Sequence, residues 1–222
     1  MVLAYLGMFW DDVQPATIRY EIDYWQNTSW GLHAIDRSST RCESAVSSDG
    51  SRMHRCESAD FRHFFVPRGQ ASILHTLYEQ PTHSGYRIDE EERIARGGPC
   101  QCSWTVDRVV DEDDGKCLNT VRERLPTAEY YGTDRVADQP VVRYRATDDQ
   151  GAFHELALAP GLSCQTMEET TRWKGTWGIP GASYKMRITE YRAGEPSFAT
   201  FQIPPGYRME DWPLRRFDRQ LQ

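Results

Sequence analysis

Six cysteines, six histidines and two acidic runs are the places where this sequence could do chemistry. The first cysteine pair lies in "RCESAVSSDGSRMHRCES", residues 41–58, which opens and closes on Arg-Cys-Glu-Ser. Asp-Gly between strand-like arms is a hairpin signal. With Ser48-Asp49-Gly50 as the loop, Gly50 takes the left-handed position of a bulged turn and Cys42 stands opposite Cys56. With Asp49-Gly50 alone as the loop, the register slips by one and Cys42 faces Glu57. The first register brings the thiols within cross-strand reach, about 4.5–5.5 Å between Cβ atoms. They would be free neighbours or, in an exported protein, a bridge. A zinc knuckle fits less well, because its paired cysteines usually lie about two to four residues apart, and no histidine pair at ligand spacing completes a site.

Cys100, Cys102 and Cys117 are candidates for three legs of a metal site, with "CQC" too tight for a mutual bridge. An even set of cysteines is compatible with an oxidising compartment. Cys164, in "GLSCQ", is a candidate nucleophile if a histidine lies near it. The stretch lacks the closing Gly of a nucleophile elbow, and a strand cysteine is more often simply buried. His154 and Glu155 are adjacent in a strand-like run, so they point to opposite faces and cannot form one acid–base pair. The acidic runs are residues 88–93 and 109–116. Oxygen-rich loops can hold Ca²⁺. Counting back from Gly115 puts Val110 at the first ligand position of an EF-hand loop, so that register fails. Asp111, Glu112, Asp113 and Asp114 remain the candidate metal ligands, against a plain solvated loop. A Ca²⁺ held there could polarise an ester or lactone carbonyl.

The elements that must position these groups are mostly short strands. Residues 16–25, the arms around Gly50, 61–66, 71–80, 104–110, the hairpin 140–160, 164–173 and 183–192 are strand-like, with turn signals between them. Residues 117–125 are the best helix candidate, stopped by Pro126. One β-rich domain over residues 1–222 is expected, with 1–14 and 209–222 peripheral. The net charge of −7 argues against nucleic acid as a partner. No run approaches the roughly 20 apolar residues of a membrane span. The opening "MVLAYLGMFW" lacks a basic region and a cleavage site, so it is the stub of an export signal or a first buried segment.

Two stretches, "VVRYRATDDQGAFHELALAPGLSCQTM" and "RITEYRAGEPSFATFQIPPGYR", resemble bacterial proteins related to the LolA-like outer-membrane lipoprotein carriers. The likeness covers roughly residues 130–208, and "IPPGY" is its most specific piece. There is no lipobox cysteine and no complete export signal. The resemblance implies a mainly β fold: a curved, incompletely closed antiparallel half-barrel with a short helical element over its mouth. It also implies an exported or periplasmic protein, with the cytoplasm left open. The concave face holds acyl chains in such relatives. A half-barrel is too wide to fill with its own side chains, and apolar inner residues shelter hydrocarbon at about 0.8 kcal/mol per CH₂. The candidate lining is Tyr20, Trp25, Phe64, Trp104, Trp173, Trp177, Tyr184 and Phe201, each of which would otherwise be ordinary core. Pro204, Pro205, Gly206 and Tyr207 are expected to serve architecture. Two function classes follow, besides a purely structural envelope protein. One is a cofactor-free binder or carrier of a lipid-like small molecule. The other is a Ca²⁺-assisted hydrolase of small acylated esters or lactones, such as N-acylhomoserine lactones.

Overall fold

The structure is a computed structural model that describes residues 15–27, 35–61, 72–100, 114–175 and 180–211. Its strands are β1 (Ala16–Asn27), β2 (Ile35–Val46), β3 (Arg52–Phe61), β4 (Ser72–Glu79), β5 (Ser84–Asp89) and β6 (Ile94–Pro99), then β7 (Glu129–Val136), β8 (Gln139–Thr147), β9 (Phe153–Ala159), β10 (Gln165–Lys174), β11 (Pro180–Ala193) and β12 (Arg208–Asp211). One α-helix, α1 (Asp114–Arg124), stands between β6 and β7. The strands form a single sheet in the order β12-β6-β5-β4-β3-β2-β1-β11-β10-β9-β8-β7. Among the described residues the end strands do not pair with each other, so this is a curved sheet left open rather than a closed barrel. Every pairing is antiparallel except β12 on β6, which is parallel.

The opening hairpin takes the register that Gly50 favours. Gly50 has φ +87°, a conformation that costs glycine little, and Cys42 pairs with Cys56. The two cysteines are bridged, with Cα atoms 4.1 Å apart. Asp49 Oδ1 accepts the Ser51 N–H at 2.8 Å, and Ser47 also donates to it, so the turn is closed by its own side chains. Residues 84–99 are a second hairpin, β5–β6, and the acidic run 88–93 is its turn. That run is neutralised by arginines rather than left open for a cation. Arg55 grips Glu90 with two bonds of 2.7 and 2.9 Å, and Arg96 reaches Asp89 and Glu92. The helix begins at Asp114, three residues earlier than expected, and takes in the end of the second acidic run. It stops at Arg124, before Pro126. The expected strand at 104–110 and all of 62–66 lie outside the described residues.

Strand alternation sorts the side chains onto two faces. Ile18, Tyr20 and Ile22 of β1 are buried on one face, and Arg19, Glu21 and Asp23 point from the other. The register carries this division across the sheet. On the first face lie Tyr184, Met186 and Ile188 of β11, His154, Leu156 and Leu158 of β9, and Val142, Tyr144 and Ala146 of β8. Cys117 and Val121 of α1 pack onto the β8–β9 part of it, so this is the inner face. The helix is tied down by a second disulfide, Cys117–Cys164, from its first turn to the β9–β10 connection. On the outer face, Phe201 and Tyr207 pack with Ala45, Met53, Leu77, Ile88 and Ala95. The Pro204–Tyr207 segment thus pins the chain across the outside of the sheet, the architectural role expected of it.

Candidate functional site

Two adjacent rows of the inner face can be read directly from the pairing. One runs Ile22, Met186, Glu169, Leu156, Tyr144 across β1, β11, β10, β9 and β8. The next runs Tyr24, Tyr184, Thr171, His154, Ala146. Both are apolar or aromatic at the β1–β11 end and turn polar where β10 crosses. Trp173 continues the inner face of β10 beyond Thr171 and packs, half-buried, against the main core.

The polar centre is a chain of four groups. Asp148, in the β8–β9 turn, accepts the N–H groups of Gln150 and Ala152 on Oδ1, at 3.0 and 2.7 Å. Its Oδ2 lies 3.1 Å from His154 Nε2. The His154 hydrogen bond holds the Asp148 carboxyl below the usual carboxylate range, so it is ionised and accepts only. That puts an imidazole proton on Nε2, and Nδ1 lies 3.1 Å from the Thr171 hydroxyl. Thr171 also hydrogen-bonds the Glu169 carboxyl, which links the fourth group to the chain. Glu169, two residues before Thr171 on the same face, is 4% exposed, and its Oε2 has no hydrogen-bond partner among the described residues. Burial pushes its carboxyl up, against the charge of Arg124 on α1. The neighbouring Glu168 faces outward and sits near Arg143 and Arg187, at 3.6 and 3.5 Å.

Hydroxyl, imidazole and carboxylate in this order are also how a nucleophile, its base and an orienting group are arranged. Here Asp148 is engaged in closing a turn, and Thr171 is only 3% exposed. The chain therefore acts as a satisfied polar network with one open oxygen at its end.

A second, half-buried polar group lies on the inner face of β3. His54 Nδ1 is 2.8 Å from Ser44 Oγ and 3.5 Å from the Tyr20 hydroxyl, and Nε2 is 3.1 Å from Cys56 Sγ. Burial pulls the imidazole down to about 4, with a further push from His75. Cys42, His54 and Cys56 bring their donor atoms within 4.8 Å of one another, but the two sulfurs are bonded to each other.

Of the candidate lining, Tyr20, Tyr184 and Trp173 share the inner face. Trp25 lies five residues from Tyr20 on the same strand and so points from the outer face. Phe201 belongs to the outer cluster. Phe64, Trp104 and Trp177 lie outside the described residues, as do Asp111, Glu112 and Asp113; Asp114 is the first residue of α1. Two cysteine readings are corrected. Cys164 has no free thiol to attack with, because it is bonded to Cys117. The three-legged metal site fails because Cys117 and Cys100 are both in disulfides. Cys102, and with it the tightness of "CQC", lies outside the described residues. An open cavity of about 590 Å³ lies at the end of the sheet, between the β7–β8 hairpin and the Pro160–Leu162 turn, lined by Pro140, Val141, Val142, Ala159 and Leu162. None of the candidate lining residues borders it.

No protein-family model and no curated protein matches the sequence. Among solved structures it is similar to the MucA/MucB complex of Pseudomonas aeruginosa, at 14% identity and TM-score 0.45 over 92% of this chain and 62% of that one. This chain therefore spans less than two thirds of that protein's length. It is also similar to a putative outer membrane lipoprotein-sorting protein domain from Vibrio parahaemolyticus, at 9% identity and TM-score 0.23 over 90% and 95% of the two chains. A LolA superfamily protein from Nitrosomonas europaea is similar at 8% identity and TM-score 0.25 over 90% and 94%. At these TM-scores the likeness carries no argument.

Proposed function

We propose that this protein binds a lipid-like amphiphile, with the acyl chain lying along the inner face of the open sheet. The observation that carries the reading is the continuous apolar and aromatic face made by Tyr20, Ile22, Met186, Ile188 and Tyr184 on two adjacent strands, buried in the main core and extended by half-buried Trp173 on a third. Tyr24 and Trp173, both half-buried, mark the end of that surface where a chain would enter. The Cys42–Cys56 and Cys117–Cys164 disulfides favour an oxidising compartment, which suits an exported carrier. Among the described residues no helix is long and apolar enough to cross a membrane.

Burying about ten CH₂ groups gives roughly 8 kcal/mol before the cost of association, which is at least about 4 kcal/mol. Short chains would therefore bind weakly and longer ones measurably. The test is a tryptophan-fluorescence titration with fatty amphiphiles of rising chain length, with Trp173→Phe identifying the reporter. Two added CH₂ groups should tighten binding by roughly tenfold, until the face is full. Affinity that ignores chain length, or no saturable signal at any length, refutes the reading.

A further inference from the structure

The row Ile22, Met186, Glu169, Leu156, Tyr144 contains one group that an apolar surface has no use for. Glu169 sits between a methionine and a leucine, almost wholly buried, with Oε2 unpartnered among the described residues. Its neighbours leave that oxygen open. Thr171 hydrogen-bonds the Glu169 carboxyl and shares its hydroxyl with His154, and Arg124 acts on the carboxyl through its charge, yet Oε2 itself has no hydrogen-bond partner among the described residues. Tyr184 stands in the adjacent row, and burial pushes that phenol up as well. A buried acceptor without a donor costs free energy that a ligand able to donate would recover.

We infer that Glu169 is the polar anchor of the inner face, and that it selects amphiphiles whose head carries N–H donors, an alkylammonium or a secondary amide, over those ending in a free carboxylate. This rests on the acyl-binding reading above. A chain lying over Tyr20, Ile22 and Met186 would place its head at the row's next member, which is Glu169. An N–H there meets an oxygen with a free lone pair. A carboxylate there brings no N–H and meets a second carboxyl in a poorly hydrated place, where the two cannot both stay ionised.

The experiment is calorimetric titration of the full chain with three ligands of equal length: dodecylamine, N-methyldodecanamide and laurate, each below its critical micelle concentration. The wild type should bind the amine and the amide at least tenfold more tightly than laurate. Glu169→Leu matches the apolar row and removes the oxygen. It should lose that preference while laurate binds as before or more tightly. Near-ultraviolet circular dichroism confirms that the variant keeps its packing, and Glu169→Gln, which keeps an acceptor without the charge, replaces it if it does not. With Gln the amide should keep its advantage and the amine should lose most of its own. Three equal affinities in the wild type, or a preference that survives Glu169→Leu, would overturn the anchor and leave acyl binding standing. No binding of any ligand would overturn both.

Discussion

Removing the Cys117–Cys164 bridge should loosen one part of this molecule and not the rest. Helix α1 has 11 residues, a length at which an isolated helix is marginal in water. Among its described side chains only Cys117 and Val121 are fully buried, with Leu118 partly so. The bridge spans a sequence separation of 47 residues, from the helix to the β9–β10 connection. In the chain-entropy account, closing a loop of that size removes about 4 kcal/mol of freedom from the unfolded chain. The Cys42–Cys56 bridge, with a separation of 14, removes about 3 kcal/mol. It joins two strands that are already hydrogen-bonded neighbours, whereas Cys117–Cys164 holds down a helix with little else to hold it. The double variant Cys117→Ala/Cys164→Ala should therefore lose about 4 kcal/mol in urea unfolding, or roughly 8–16 °C in Tm for a chain of this size. Amide exchange in α1 should rise before exchange in β9 and β10. Cys42→Ala/Cys56→Ala should lose about 3 kcal/mol and leave α1 protection unchanged. A loss below about 1 kcal/mol for the first variant, or α1 exchange identical to the wild type, would refute the reasoning that the bridge is what seats the helix.

Two further outcomes follow from packing and from burial. A Cβ on Gly97 would lie 2.0 Å from the Gly85 carbonyl oxygen, whereas one on Gly98 would meet nothing within 4 Å. Gly97→Ala should thus cost about 1–3 kcal/mol or more and Gly98→Ala close to nothing, measured by urea unfolding; equal effects would contradict the close approach of β5 and β6. His54 titrates near 4 when folded and near its ordinary 6.5 when unfolded, so the unfolded chain takes up the proton first. Its contribution is steady above about pH 6.5 and falls by up to about 3 kcal/mol as the pH drops to about 4. His54→Gln should flatten that part of the stability–pH profile, and an unchanged slope would place the acid sensitivity elsewhere.

What could be read from the sequence was local. Gly50 set the β2–β3 register because a turn residue fixes which residues face each other. Pro126 bounded the helix for a similar reason. The pairing of β1 with β11 joins residues more than a hundred and fifty positions apart, and no turn chemistry announces it. The β5–β6 hairpin was hidden by its own turn, since a run of acids looks like a solvated loop until Arg55 and Arg96 are seen to reach it. Trp25 is different. Its parity already opposed that of Tyr20, so the outer face was legible from alternation alone. Cys117 and Cys164 lie on separate elements, and six cysteines allow fifteen pairings.

Glu169 shows how much alternation can and cannot give. Two adjacent glutamates in a strand buried on both sides cannot both face the same way, so "MEETT" guarantees one inward carboxyl in any regular register. Which of the two turns in is set by the irregularity between Thr166 and Glu168, where β10 carries an extra residue against β9. Without it, counting by twos from the inward Thr166 would put Glu168 inside and Glu169 out. With it, Glu168 reaches Arg143 and Arg187 on the outer face, and Glu169 enters a row of apolar side chains with no cation bonded to Oε2. A leucine at 169 would fill that row without the burden of an unsatisfied carboxyl. The bulge thus places the polar group where a bound chain's head would end, and the same offset brings Thr171 onto the inner face opposite His154. The inward carboxyl of Glu169 and the Thr171–His154 contact beside it are both consequences of one extra residue in one strand.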